Sequence, residues 1–215
     1  MKPILWLTAM AAALALPGAA AAQQYMMAED CTDWVDTCPG VTVTAEMLLL
    51  QWSDTDGDDG NTGMSPAYRT TFGFDFGGGR NVRLRYLGFS IEDQIGTGSF
   101  DLSQVDLEYA GRFTLGPNWD GEISLGGRWM SMKNPTPRNW PNLVGPVAGV
   151  KVRSPITDNI AIYGAGRAAY LFGYEEHEAH NHPVGMLEAS AGVEWTSRVD
   201  KVGFYLNAGV EAQYY

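Results

Sequence analysis

Apolar and polar side chains alternate along the chain, most clearly over Ser103–Leu115. In that stretch the apolar set is Val105, Leu107, Tyr109, Phe113 and Leu115, and the polar set is Gln104, Asp106, Glu108, Arg112 and Thr114. Successive side chains of an extended strand point to opposite faces. The alternation therefore predicts a strand with one apolar face and one face that carries charges of both signs.

The same two-residue period predicts eight more strands, and no stretch beyond the first 22 residues keeps a helical period for long. The further predicted strands are Val41–Trp52, Ala67–Gly77, Asn81–Phe89, Gly121–Met132, Val144–Arg153, Ile160–Tyr174, Leu187–Thr196 and Gly203–Tyr214. The sequence thus predicts an all-β fold.

The connections between these strands alternate in length. Four are short and rich in Gly, Pro, Asn and Asp, namely Gly77–Arg80, Gly116–Asn118, Ser154–Asn159 and Ser197–Lys201. The four between them are longer and more polar, namely Ser53–Pro66, Glu92–Ser99, Lys133–Asn142 and Glu175–Gly185. Tight periplasmic turns and longer external loops are typical of outer-membrane barrels. We therefore predict an antiparallel up-and-down transmembrane β-barrel of about 8–10 strands.

The number of strands leaves two possibilities open. Bacterial single-chain barrels have an even number of strands, whereas the alternation predicts nine. Either Val41–Trp52 is not a full strand, or a tenth strand follows Tyr215.

Charged side chains fall on the polar faces in equal numbers of each sign. The eight cations are Arg69, Arg83, Arg85, Arg112, Arg128, Lys151, Arg153 and Arg167, and the eight acids are Glu46, Asp75, Asp106, Glu108, Glu122, Glu188, Glu194 and Glu211. Because isolated charges away from water are costly, we expect these residues to pair inside a narrow lumen. A secreted β-sandwich is the alternative, with the charges facing water and the apolar faces forming its core. Aromatic residues near strand ends favour the membrane, whose interfaces attract them: Trp52, Trp119, Trp129, Tyr174, Trp195 and Tyr214.

The first residues have the features of a secretory signal peptide. Met1–Ala22 has a basic residue, Lys2, then an apolar run, Pro17–Gly18, and small residues that end in an Ala-x-Ala site. Loss of Lys2 on cleavage would change the formal net charge from −11 to −12. This acidity argues against nucleic acid as a partner, and no later apolar run approaches the roughly 18 residues of a membrane-spanning helix.

The predicted signal peptide, residues 1–22, is followed by an N-terminal extension over residues 23–40 and a barrel over residues 41–215. The extension contains both cysteines, Cys31 and Cys38. In an oxidising periplasm we expect them to form a small structural disulfide loop.

Two polar loops are candidates for binding a divalent cation weakly. Asp54, Asp56 and Asp58 alternate like the first ligands of a calcium loop, although Asp59 replaces the glycine of that motif. His177, His180 and His182 are all the histidines of the chain, and they are interspersed with glutamates. No other cofactor is predicted. We expect no enzyme activity, because no serine stands beside these histidines and Ser190 faces inward.

Several motifs carry a resemblance to a known family: Ala45–Trp52 (AEMLLLQW), Phe72–Phe89 (FGFDFGGGRNVRLRYLGF), Val105–Phe113 (VDLEYAGRF) and Leu125–Trp129 (LGGRW). The chain resembles the pore-forming outer-membrane proteins of the Legionella major outer-membrane type. More broadly, it is similar to OmpA-like small outer-membrane barrels. The resemblance implies an outer-membrane location and a porin or structural role, and it brings no catalytic residues.

The sequence therefore predicts a β-barrel in a bacterial outer membrane that acts as a narrow porin-like pore or passive channel. Its partners would be outer-membrane lipid and lipopolysaccharide, together with ions or small solutes if it conducts. The first alternative is a non-conducting structural or surface-interaction barrel, because eight to ten strands enclose little more than their own side chains. The further alternative is a secreted β-sandwich that acts as a binding module.

Overall fold

The computed structural model describes residues 6–11, 24–26, 39–53, 65–92, 99–133, 140–174, 181–199 and 202–214. Two short strands come first, and nine long strands follow. The strands are β1 (Trp6–Ala11), β2 (Gln24–Met26), β3 (Gly40–Ser53), β4 (Ser65–Gly77), β5 (Arg80–Glu92), β6 (Ser99–Gly116), β7 (Trp119–Lys133), β8 (Trp140–Pro155), β9 (Ile160–Tyr174), β10 (Asn181–Val199) and β11 (Val202–Tyr214).

The nine long strands, β3 to β11, form one antiparallel sheet in which each strand pairs with its neighbours in sequence. Each contains one of the nine predicted strands, so the prediction of an all-β, up-and-down fold is confirmed. Among the described residues there is no helix of the length and hydropathy needed to cross a membrane.

The place between β11 and β3 is occupied by β1 and β2. Strand β1 pairs antiparallel with Gly209–Tyr214 on one side and with Leu49–Ser53 on the other. Nearer the opposite end of the barrel, β2 pairs with Val202 and Gly203 and with Thr42 and Val43. The sheet therefore closes into a barrel with ten strand places, the last of which is shared by two short segments. The proposal that Val41–Trp52 is less than a full strand is wrong, since β3 has 14 residues.

Two of the predicted external links are shorter than expected. Residues Asn181–Gly185 extend β10 and pair with Tyr174–Tyr170 of β9, and Trp140–Asn142 belong to β8. Polar residues and Pro183 argued for a loop there, but the end of β9 offers backbone partners that local sequence does not reveal.

The connection between β4 and β5 is a glycine turn. Gly77, Gly78 and Gly79 have φ angles of 85°, 61° and 72°, a region that residues with a side chain adopt only at a cost. Three consecutive glycines therefore reverse the chain within the predicted short connection.

The outer face of the barrel exposes large apolar side chains on every long strand. Leu125 of β7 is 67% exposed, Leu107 of β6 is 58% exposed and Phe172 of β9 is 56% exposed. Soluble monomers rarely expose apolar patches of more than a few hundred Å². Neither a second sheet nor a helix covers this face among the described residues, so the fold is not a β-sandwich.

Candidate functional site: the barrel interior

The alternation of each strand places the fifteen predicted lumen residues on its inner face, where each is buried or partly buried. They are Arg69, Asp75, Arg83, Arg85, Asp106, Glu108, Arg112, Glu122, Arg128, Lys151, Arg153, Arg167, Glu188, Glu194 and Glu211. Glu46 faces inward with them and is partly buried. Contacts between strands that are not neighbours show that these residues project into one narrow space.

The centre of the lumen holds a carboxylate that accepts four hydrogen bonds, that of Asp106 on β6. Its Oδ1 accepts a hydrogen bond from Arg128 Nε at 2.7 Å, and its Oδ2 accepts from Arg128 Nη2 at 3.0 Å and from Arg167 Nη2 at 2.9 Å. Gln104 Nε2 also donates to Oδ2 at 3.1 Å. Three of these four hydrogen bonds therefore go to Oδ2 and one goes to Oδ1.

The same two guanidinium groups connect β6 to the far wall. Arg128 Nη1 lies 2.5 Å from Glu188 Oε1, and Arg167 Nη1 donates to Glu188 Oε2 at 3.0 Å. Arg167 also forms an ion pair with Glu108. Strands β6, β7, β9 and β10 are thereby joined through a network of three carboxylates and two guanidinium groups. Each of these five residues is at most 9% exposed.

A second group of charges lies toward the ends of the strands that short turns connect. Arg83 pairs with Glu108 Oε2 at 2.9 Å and with Glu122 Oε1 at 2.7 Å. Arg112 Nε donates to Glu122 Oε2 at 3.0 Å, and its Nη1 lies 3.5 Å from Asp75 Oδ1. Each of these carboxylates forms an ion pair with at least one cation, and the pairing compensates the cost of burying its charge.

Two further groups of ion pairs join strands on the remaining walls. Arg69 of β4 bridges Glu46, at 3.2 Å, and Glu211 of β11, at 2.5 Å. Glu194 of β10 pairs with Lys151 and with Arg153 Nε, the latter at 2.9 Å. The second of these groups extends to a carboxylate that the sequence did not single out, because Arg153 Nη1 lies 3.6 Å from Asp120 Oδ2.

A cavity of about 170 Å³ lies among these charges. Hydroxyl and amide groups line it together with the ions, and they include Thr71, Ser124, Tyr163, Ser190 and Asn207. Tyr163 donates a hydrogen bond to Asn207 Oδ1 at 2.8 Å.

The other half of the interior, toward the long connections, is filled by apolar side chains. They form one cluster: Leu48, Ala67, Leu87, Phe89, Leu102, Met130, Met132, Leu143, Val147, Ala169, Leu171 and Met186. Leu87 of β5 and Leu171 of β9 are 0% exposed, although four strand places separate β5 from β9. Side chains from opposite walls therefore belong to one buried apolar cluster.

This apolar cluster is not among the predicted features, although the sequence contains a signal for it. Leu87 and Phe89 continue the inward phase of Arg83 and Arg85, and Met130 continues that of Arg128. Following the phase beyond the last charge on each strand would have predicted a lumen with one polar half and one apolar half.

Most of the predicted metal-binding and disulfide residues lie outside the described part of the chain. Asp54, Asp56, Asp58, His177, His180, Cys31 and Cys38 lie outside the described residues, and of His182 the backbone alone is described, paired with Gly173. Within the part of the chain that is described, no three His, Cys, Asp or Glu side chains are grouped so as to hold a metal ion.

Eight chains of known structure match this chain. The β domain of the Bordetella autotransporter Brka, known from a crystal structure, is similar at a TM-score of 0.35 and 13% sequence identity, over 100% of this chain and 98% of that chain. Similarity at this level carries no information about the location or function of this chain. The chain matches no protein-family model, and no curated protein matches it.

Proposed function

We propose that this protein is a β-barrel of a bacterial outer membrane, with outer-membrane lipid and lipopolysaccharide around it. The observation that carries the proposal is the apolar outer face combined with an inner face of paired charges. That arrangement is the reverse of a soluble protein and is the one expected of a barrel in lipid.

The dimensions of the outer face support the same location. Trp119 and Trp129 lie on the outer face of β7 and are 49% and 37% exposed, and Ile123 and Leu125 lie between them. At about 3.3 Å per residue and a tilt of about 40°, ten residues span about 25 Å across the membrane. This height equals that of the apolar band of outer-membrane barrels, which aromatic residues flank on both sides.

We further propose that the barrel is a non-conducting structural or surface-interaction protein rather than an open pore. Leu87, Met130 and Leu171 are each 0% exposed and belong to the apolar cluster that fills one half of the lumen. An ion that crossed this level would lose its hydration without gaining a polar partner, which is costly. We propose no catalytic step and no resident cofactor.

Conductance in planar bilayers tests this proposal. We expect purified protein to give no discrete current steps, and we expect a Leu87→Ala, Met130→Ala, Leu171→Ala variant to give them, since it removes side chains that meet from opposite walls. The matched control truncates three outward-facing residues, Leu84, Leu107 and Leu125, and should stay silent. Regular current steps from the unmodified protein would contradict a closed lumen and would support the porin-like alternative.

A further inference from the structure

We propose that the cavity in the polar half of the lumen binds a small inorganic oxyanion, of the phosphate or sulfate class, at Arg85. The proposal concerns a ligand site inside the barrel and does not depend on whether the protein lies in a membrane or conducts ions.

The first observation is that the side chain of Arg85 forms no ion pair or hydrogen bond with the described residues. Its Nε is buried without a hydrogen-bond partner, whereas the seven other predicted lumen cations each form at least one ion pair. The register places Arg85 directly opposite Asp106 on the neighbouring strand. Asp106 is nevertheless committed elsewhere, because Arg128, Arg167 and Gln104 already donate four hydrogen bonds to it.

The second observation is the charge of the cavity that Arg85 lines. The cavity wall carries six cations, Arg69, Arg83, Arg85, Arg112, Lys151 and Arg167, and four carboxylates, Glu46, Asp75, Glu122 and Glu211. Among the described residues that line it, the cations therefore exceed the acids by two. Three of these cations, Arg167, Arg69 and Arg83, lie close enough to Arg85 to repel its guanidinium group. The other five lining cations form ion pairs with lumen carboxylates, some of which lie behind the cavity wall, so the charge left to compensate is that of Arg85. A bound anion supplies that compensation.

The third observation is the set of neutral donors and the space. Thr71 stands opposite Arg85 on β4 and lines the cavity together with Ser124 and Ser190. Hydroxyl groups and a planar guanidinium are the donors that tetrahedral oxyanions accept from. The volume of about 170 Å³ is far above the roughly 10–15 Å³ that one water molecule needs. It therefore has room for an oxyanion and some of its hydration.

The experiment uses the full chain folded in detergent and titrated with inorganic phosphate at constant ionic strength, with binding measured by calorimetry. A bulky zwitterionic buffer replaces other small anions. We expect a saturable isotherm for the unmodified protein and at least a tenfold weaker one for Arg85→Met. The control is Arg80→Met, which removes the same charge from the exposed end of the β4–β5 turn and should bind phosphate like the unmodified protein.

Three results would overturn the site. They are no saturable phosphate binding by the unmodified protein, equal binding by Arg85→Met, and equal loss of binding in Arg80→Met. If Arg85→Met does not fold, Arg85→Lys keeps the charge but not the bidentate fork, and it should weaken binding at least threefold. Competition by sulfate supports an oxyanion site, whereas displacement by equimolar chloride would show a halide site and contradict the proposed class.

Discussion

Arg128 is the side chain whose loss should weaken the barrel most, because it joins two carboxylates on different strands. It is 1% exposed, donates two hydrogen bonds to Asp106, and lies 2.5 Å from Glu188. In Arg128→Met the chain keeps a side chain of similar length, but Asp106 and Glu188 are left to share Arg167, which also pairs with Glu108.

Removing one partner of a buried ion pair typically lowers the unfolding free energy by about 3–5 kcal/mol, mainly because the other partner stays buried without a compensating charge. We expect Arg128→Met to lose an amount in that range. Arg80→Met is the control, and as an exposed substitution it should change the unfolding free energy by less than about 0.5 kcal/mol. The double variant Arg128→Met, Asp106→Leu also removes one of the two carboxylates that lost a partner. It should recover about half of the lost unfolding free energy.

The assay is urea unfolding of the protein folded in lipid vesicles, followed by tryptophan fluorescence and by the heat-modifiable migration of folded barrels in gels. A loss below about 1 kcal/mol for Arg128→Met, equal to that of the control, would refute the reasoning. It would mean that water reaches the centre of the lumen and screens the charges.

Three further predictions concern the backbone and the N-terminus. Gly78→Ala should lower the unfolding free energy by about 1–2 kcal/mol, because φ is +61° there, and Gly78→Asn should cost less in the same urea assay. Gly126→Ala should lower the thermal stability more than Gly127→Ala. An added Cβ at Gly126 would lie 2.0 Å from the carbonyl oxygen of Leu107, whereas an added Cβ at Gly127 would have no atom within 4 Å. Thermal unfolding of both variants checks this order. The intact mass of protein from the cell envelope should correspond to an N-terminus at Gln23. Hydrogen exchange at Gly209–Tyr214 should then be faster than in the uncleaved chain, since β1 supplies backbone partners to that segment. A mass that includes Met1–Ala22, or unchanged exchange, would contradict these two expectations.

The alternation of side chains was enough to predict every long strand and the direction in which each charge points. Both predictions depend on the two-residue period of a strand. A shift of one residue in the pairing register would turn the apolar face of the strand inward. Arg83, Glu108 and Glu122, for example, could be assigned to one face from sequence alone, and the structure brings them into contact.

Features that depend on contacts between distant strands could not be predicted in this way. Arg85 and Asp106 are neighbours in register yet do not pair, because Asp106 binds Arg167 from three strands away. The occupation of the tenth strand place by Trp6–Ala11 likewise depends on edges contributed by β3 and β11. Only the closed barrel brings these groups together.

The most direct test of the account is the environment of Leu125 in the folded protein. A nitroxide label at Leu125→Cys, in a chain with Cys31 and Cys38 replaced by serine, reports collision with oxygen, which concentrates in hydrocarbon, and with a water-soluble nickel complex. The account predicts high oxygen and low nickel accessibility in lipid vesicles, with the opposite result for a label at Arg80. High nickel accessibility at Leu125 would show that the apolar outer face meets water, and it would contradict the proposed place of the barrel in a membrane.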